Sequence, residues 1–586
     1  TGYEDMTMEE IKNFRQWGAK TAGHPEYGHA KGIETTTGPL GQGISNAVGF
    51  AMAEQSLQSR YGKKIVDHYT YVIAGDGCLM EGVSQEAITL AGKQKLNKLI
   101  VMWDDNNISI DGEINISDIT DQQKRFESAG WSVFAINGHD PHEIDIALTN
   151  AKKSTKPSMI ACKTTIAVGV EGVENTAGGH GYNIKDPQLA QMRELYEWPY
   201  PKYEIPNDVK DAWLEIGSKG SIARNEWNER FLNLSKSKQA DFNRVMNLET
   251  PKKLSAAIKR LKKEISENMP KMATRKSSQT ALEVINPIMQ ETIGGSADLT
   301  GSNNTITKGM KWFDADNRDG RHVAYGIREH GMAAAMNGMV LHGGVRPYGG
   351  TFMCFTDYAR PSMRLAALMQ IPVVYVYTHD SIGLGEDGPT HQPVEHLAIS
   401  RATPNTWVFR PADTVETAEA WELAVTTKTT PSVLSLTRQG LRTVRTKHTN
   451  KNMVSMGAYV LADAVAKRKV ILIASGSEVE IALDAKIQLE SEGIGTRVVS
   501  MPCMELFAEQ DETYRRRVLP AGPVRVGIEA AVQQGWDKWL TGERGKHNKS
   551  AFIGMDSFGA SAPAEELYLK FGITAEGVIK AAKDLL

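Results

Sequence analysis

A chain of 586 residues, 41% hydrophobic and 23% charged, has the composition of a globular protein with several buried cores. Its net charge of -3 argues against nucleic acid as the main partner, because phosphate backbones need a basic face. No apolar run approaches the roughly 18 residues of a membrane span, and the acidic opening TGYEDMTMEE lacks the apolar core of a secretion signal, so a cytoplasmic location is expected.

In chain order, HYTYVIAG (68–75), KLIVMWDD (98–105), WSVFAING (131–138) and PSMIACKT (157–164) read as strands, with a helix starting near Gly82. A second block holds strands IPVVYVYTH (371–379), TWVFRPAD (406–413) and PSVLSLTRQ (431–439), plus the helix TVETAEAWELAVTT. A third runs from the strand KVILIASGS into the helix EVEIALDAKIQLESEG, then TRVVSMP and VRVGIEA. Strand–helix–strand alternation predicts an α/β chain of three domains with mainly parallel sheets flanked by helices. The expected divisions are 1–235, a linker at 236–271, a domain at 272–445 and a C-terminal domain at 452–586 without catalytic motifs. The basic stretches 236–271 and 442–452 read as solvated linkers and helix faces. Cys78, Cys162, Cys354 and Cys503 are widely spaced, which suits a reducing compartment and offers no zinc site.

Parallel sheets place ligands at the carboxyl ends of their strands, where both AGDG (74–77) and WDDNN (103–107) fall. Asp76 brings a hard anionic oxygen and Asn106 a neutral one. The pair is too small for a calcium cage but suits a magnesium ion completed by water and phosphate oxygens. Upstream, TTGPLGQGISNAVG (36–49) is a glycine-rich loop opening a helix, a phosphate cradle by its backbone amides. GLGEDG (383–388) has dinucleotide-loop spacing, but Glu386 and Asp387 repel a pyrophosphate and Pro389 stands where a phosphate-binding helix should continue.

With these motifs and GHPEYGH, IGGSADLTGSN, YGIREHGM, PYGGTFMCF, THDSIGLGEDGPTHQP, LTRQ and DSFGASAPAEELY, the sequence resembles the transketolases over nearly its whole length. The resemblance implies thiamine diphosphate and a divalent cation (Mg2+, or Ca2+ or Mn2+), held by Asp76, Asn106 and the carbonyl of Ile108. It places Gly38, Pro39, Leu40, Gly77 and Glu81 on the cofactor, with Ile110 beside the thiazolium and Phe352, Phe355 and Tyr358 around the pyrimidine. Glu329 would hydrogen-bond the aminopyrimidine ring and favour the tautomer that deprotonates the thiazolium carbon.

The same resemblance makes His24, His180, His379 and His391 active-site histidines, with His180 also touching the cofactor. Histidine suits a reaction that interconverts hydroxyls and carbonyls near neutral pH. Asp387 would read a sugar hydroxyl, and Arg275, Ser302 and Arg438 would clamp a sugar phosphate, where arginine forks pair well. The implied protein is a homodimer with its active sites at the subunit interface, each between the first domain of one subunit and the second of its partner. Its implied reaction, in the pentose phosphate pathway, moves a two-carbon ketol unit from a ketose phosphate such as xylulose 5-phosphate to an aldose phosphate such as ribose 5-phosphate.

Alternatives are a dihydroxyacetone synthase or 1-deoxyxylulose-phosphate synthase type of enzyme, a truncated non-catalytic homologue and, more remotely, a dinucleotide oxidoreductase. The chain opens where family members already carry a sizeable N-terminal stretch with two further histidines, and a truncated, processed or split protein is the corresponding expectation.

Overall fold

The computed structural model describes residues 3–181, 183–542 and 549–586. They form two compact units. The first comprises Thr1–Asn247, Phe313–Gly320 and Ala334–Val345. Its sheet contains β1 (Thr70–Gly75), β2 (Leu99–Asp105), β3 (Ser132–Asn137) and β4 (Ser158–Lys163). The order is β1-β2-β4-β3 and every pairing is parallel. Interior strands β2 and β4 are nearly continuous apolar runs, as burial on both faces requires. At the edge, β1 alternates, leaving Tyr71 and Ile73 exposed. All four strands coincide with the sequence expectation.

The second unit begins with β5 (Met272–Ala273), β6 (Thr292–Ser296), β7 (His322–Ala324), β8 (Arg346–Phe352), β9 (Val374–Thr378), β10 (Trp407–Phe409), β11 (Ser432–Leu436) and β12 (Gly440–Leu441). Six of these make a parallel sheet in the order β10-β11-β9-β8-β6-β7, while β5 and β12 pair antiparallel. The expectation contained β9, β10 and β11 but not β6, β7 or β8. In β6 the cause is chemical: TIGGS has poor strand propensity, yet Gly294 and Gly295 leave room for the rings of Tyr348 and Tyr325.

The same unit carries a five-stranded sheet of β13 (Tyr459–Ala462), β14 (Arg468–Ala474), β15 (Gly495–Ser500), β16 (Val524–Ile528) and β17 (Ser550–Ile553). Its order is β13-β15-β14-β16-β17, with only β13 antiparallel. Edge strands β13 and β17 also escaped the sequence reading.

Both basic stretches are largely exposed, as expected, but each sends one cation into the interior. Helices occupy Lys236–Met246 and Lys253–Asn268, and the latter buries Leu254, Ile258, Leu261 and Ile265 in the second unit's core. Lys262 is 1% exposed and sits 2.6 Å from Glu419, which Arg445 also approaches at 3.4 Å. Glu419 is buried on the helix Thr414–Thr426 and needs counter-charge, so two cations expected in solvent are drawn inside.

Candidate active site

In the first unit, Asp76 follows directly on β1 and opens a short helix, while Asn106 follows directly on β2. Parallel register pairs Gly75 with Asp104, so both side chains emerge at the same sheet end. Asp76 Oδ1 accepts a hydrogen bond from the indole N–H of Trp103 at 3.0 Å, and Oδ2 is buried with no protein partner. Burial pushes this carboxyl up to about 6, against the lowering effect of the Trp103 bond. Asn106 donates to Asp104 at 3.1 Å, and its Oδ1 accepts the N–H of Ile108 at 3.0 Å, fixing the amide. A divalent cation fits this set: one orphaned carboxylate oxygen and a neighbouring amide oxygen, both hard donors at a sheet terminus.

Other predicted cofactor residues surround the same end. The helix Gln42–Tyr61 follows the glycine-rich loop, and Glu81 and Ser84 pack against the backbone of Gly41. Leu40 meets Gly77, and the His24 ring lies over Gly38. Pro39, Leu40 and Ile110 are exposed. His180 ends a 3-10 turn, Ala177–Gly179, with its ring in solvent, and is not drawn into this cluster. Among the described residues no group of three or more His, Cys, Asp or Glu side chains is placed to hold a metal.

A second cluster lies at the carboxyl ends of β8 and β9, within the second unit. Glu329 opens the helix Glu329–His342, is 7% exposed, and accepts a hydrogen bond from Thr351 at 3.3 Å. Phe352 and Phe355 stack at 5.9 Å, and Tyr358 continues the row 5.7 Å from Phe355. The Phe352 ring lies 3.9 Å from that of His379, while His391 stands 5.6 Å from Phe355 and 6.1 Å from Phe352. His391 shares a 2.9 Å hydrogen bond with Thr390.

His379 is 3% exposed, and burial, with added repulsion from Arg275, Arg438 and His391, pulls its imidazole down to about 3. It is therefore a neutral ring beside two guanidinium groups. Arg275 donates to the carbonyl of Ser302 at 2.8 Å and keeps a buried Nε with no protein partner. Burial and, after it, the nearby charge of Arg438 lower its proton affinity. Arg438 donates to the carbonyl of Leu384 at 2.8 Å and pairs with Glu386 at 3.6 Å, while Asp387 points from an exposed position on the same loop.

Two contributors were not legible in the sequence. Trp103 orients Asp76 from the neighbouring strand, a contact set by register. Asn303 is fully buried and donates to the Thr351 carbonyl at 3.1 Å and the Thr378 hydroxyl at 2.8 Å, while its Oδ1 accepts from Ser296 at 2.8 Å. It thereby ties together the ends of β6, β8 and β9. Their only sequence signals are a tryptophan beside an acid and an amide within GSADLTGSN.

Comparison with known proteins places the chain among characterised domains. The thiamine diphosphate binding domain of transketolase matches residues 1–251, its pyrimidine binding domain residues 270–444, and a transketolase-like C-terminal domain residues 457–574. A transketolase of Rhodobacter capsulatus is 61% identical over 586 residues, covering all of this chain and 87% of the relative. One from Sinorhizobium medicae is 53% identical, again over the whole chain and 83% of the relative. Among solved structures, transketolase from Leishmania mexicana superposes with a TM-score of 0.93 at 42% identity, covering 100% of this chain and 86% of that one. A Pichia stipitis transketolase solved with sedoheptulose 7-phosphate gives 0.92 at 40% identity, covering 99% and 86%. The chain belongs to the transketolase family.

Proposed function

We propose that the chain transfers a two-carbon ketol unit between phosphorylated sugars, with xylulose 5-phosphate as a donor and ribose 5-phosphate as an acceptor. The observation that carries this reading is the second-unit cluster: a buried carboxylate, an aromatic row, two histidines and two converging arginines at one sheet end. Thiamine diphosphate, when bound, supplies a carbon nucleophile and an electron sink.

Asp76, Asn106 and the Ile108 carbonyl would hold magnesium, or calcium or manganese in its place, which would neutralise diphosphate charge, and the 38–41 loop and Glu81 would shape that pocket. Glu329 holds a proton at the aminopyrimidine ring, and Phe352, Phe355 and Tyr358 exclude water from it. His391 and His24 move protons on and off the sugar hydroxyl and carbonyl oxygens, with His180 able to join them from its loop. His379, neutral, donates a hydrogen bond to substrate without adding a third charge. Arg275 and Arg438 receive the phosphate, with the free Nε of Arg275 as a ready donor. Ser302 and Asp387 flank the sugar.

In this reading the enzyme is a cytoplasmic homodimer, and each site joins the diphosphate residues of one subunit to the pyrimidine residues of its partner. Exposed apolar side chains support a partner surface: Leu40 at 49%, Ile110 at 72%, Ile327 at 78% and Tyr358 at 61%. No helix among the described residues is long and apolar enough to cross a membrane.

The test is turnover of xylulose 5-phosphate with ribose 5-phosphate, in the presence of magnesium and thiamine diphosphate. Sedoheptulose 7-phosphate should form, and Glu329→Gln should lower kcat at least about 100-fold. Product formation undiminished in Glu329→Gln, or no product from the wild-type chain, would overturn the reading.

A further inference from the structure

His379 reaches its place in an uncommon way. Strand β9 ends at Thr378, and the next residue adopts φ of 65°, the left-handed region that a non-glycine residue enters only when its surroundings hold it there. The Thr378 hydroxyl, 2.8 Å from His379 Nδ1, supports the ring from one side. On the other side the chain is anchored at Asp380, which is 1% exposed.

The anchor is Arg410, itself fully buried, whose Nε donates to Asp380 Oδ2 at 2.9 Å. Arg410 is in turn gripped by the turn that follows β14 in the C-terminal domain. Its Nη1 donates to the Ser475 carbonyl at 3.1 Å and to Glu478, and its backbone carbonyl accepts the N–H of Gly476 at 3.0 Å. Glu478 is fixed by Tyr568 at 2.7 Å and by the N–H of Ala530 at 3.0 Å. Gly476 has φ of 55°, and a Cβ there would lie 2.8 Å from both Cγ and Nε of Arg410. Any side chain at 476 therefore displaces the guanidinium that holds Asp380.

We propose that Arg410 and Gly476 are positioning residues through which the C-terminal domain sets the conformation of His379 and so the affinity for the substrate's phosphorylated end. The reading of His379, Arg275 and Arg438 as the phosphate-end cluster is the one on which this rests. The domain that lacks catalytic motifs thus acts on the site through a buried guanidinium.

The test uses the whole chain carrying Arg410→Lys, Gly476→Ala or Asp380→Asn, with two readouts. The first is the 13C signal of labelled histidine, with the His379 resonance assigned by its loss in His379→Gln. The second is the KM for xylulose 5-phosphate and for unphosphorylated xylulose. The His379 signal should move in each folded variant. KM for the phosphorylated ketose should rise about tenfold, while KM for the unphosphorylated one stays within about twofold.

Arg410→Lys keeps a buried cation but cannot reach Asp380 and Glu478 together, so it guards against the other two failing to fold. An unmoved His379 signal in folded Arg410→Lys would overturn the proposal, as would equal losses for both sugars. A displaced signal in a chain that binds no sugar phosphate would uphold the strut and overturn the functional reading instead.

Discussion

Single side chains at the two sheet ends have separable jobs, and each can be removed without touching the others. Trp103 spends its one donor on Asp76, so Trp103→Phe should leave that carboxylate, the proposed metal ligand, unoriented. Loss of such an outer partner typically weakens a metal site about 10- to 100-fold. Calorimetric titration of magnesium with thiamine diphosphate should show a drop in that range, with kcat at saturation little changed. His322 tests a different property. It is buried against Thr305 and Trp312, and burial pulls its imidazole from 6.5 down to about 4. The unfolded chain accepts a proton there from pH 6.5 downward and the native chain resists it. Stability from this residue is therefore complete above that pH and lost as the pH falls towards 4. The slope is at most about 1.4 kcal/mol per pH unit. Urea titrations at pH 5 and pH 7 should show the native protein losing about 2 kcal/mol more than His322→Gln does on acidification.

Elements were legible where their pattern was local. Strands β1 to β4 and β9 announce themselves as β-branched and aromatic runs, and Asp76 and Asn106 stand out because glycine and amide breaks follow immediately. β6 was hidden because its glycines serve the rings of Tyr348 and Tyr325, a requirement written on other strands. β7 is three residues long, and β13 and β17 are four-residue, partly buried edge strands, too short to stand out. The buried cations Lys262 and Arg445 were hidden for a related reason: their partner, Glu419, lies on a distant helix. Asn303 shows what such long-range chemistry does for an element. Replacing it with alanine removes bonds to three strand ends and leaves the Thr351 carbonyl and the Thr378 hydroxyl short of a donor. Asn303→Ala should destabilise the protein by about 2–4 kcal/mol and lower activity at temperatures where it remains folded, as thermal unfolding with parallel rate measurements would show.

For the molecule as a whole, the family relationship was legible because long motifs recur in order, whereas the role of the third sheet was not, since nothing in GSE or RPAD names a ligand. The subunit surface is testable directly. Ile327 is 78% exposed only two residues before Glu329. A charge at that position should be tolerated by an isolated chain and rejected by an interface. On the proposed dimer, Ile327→Asp should sediment as a 64.4 kDa monomer and lose turnover, and the parent chain should sediment at twice that mass.

The buried charges behind His379 carry a different implication, for inheritance rather than for catalysis. Arg410 and Asp380 lie upstream of the C-terminal domain while Ser475, Gly476, Glu478 and Glu529 lie within it, and Glu529 forms a two-pronged pair with Arg401 at 2.7 and 2.8 Å. Breaking one member leaves an uncompensated ion in the interior, at about 3–5 kcal/mol. The two domains are thus not interchangeable cassettes: a crossover near residue 450 succeeds only between parents that agree at both ends of this network. Chimeras with relatives that lack one of these charges should lose stability by about that amount, and restoring the matching partner should recover it.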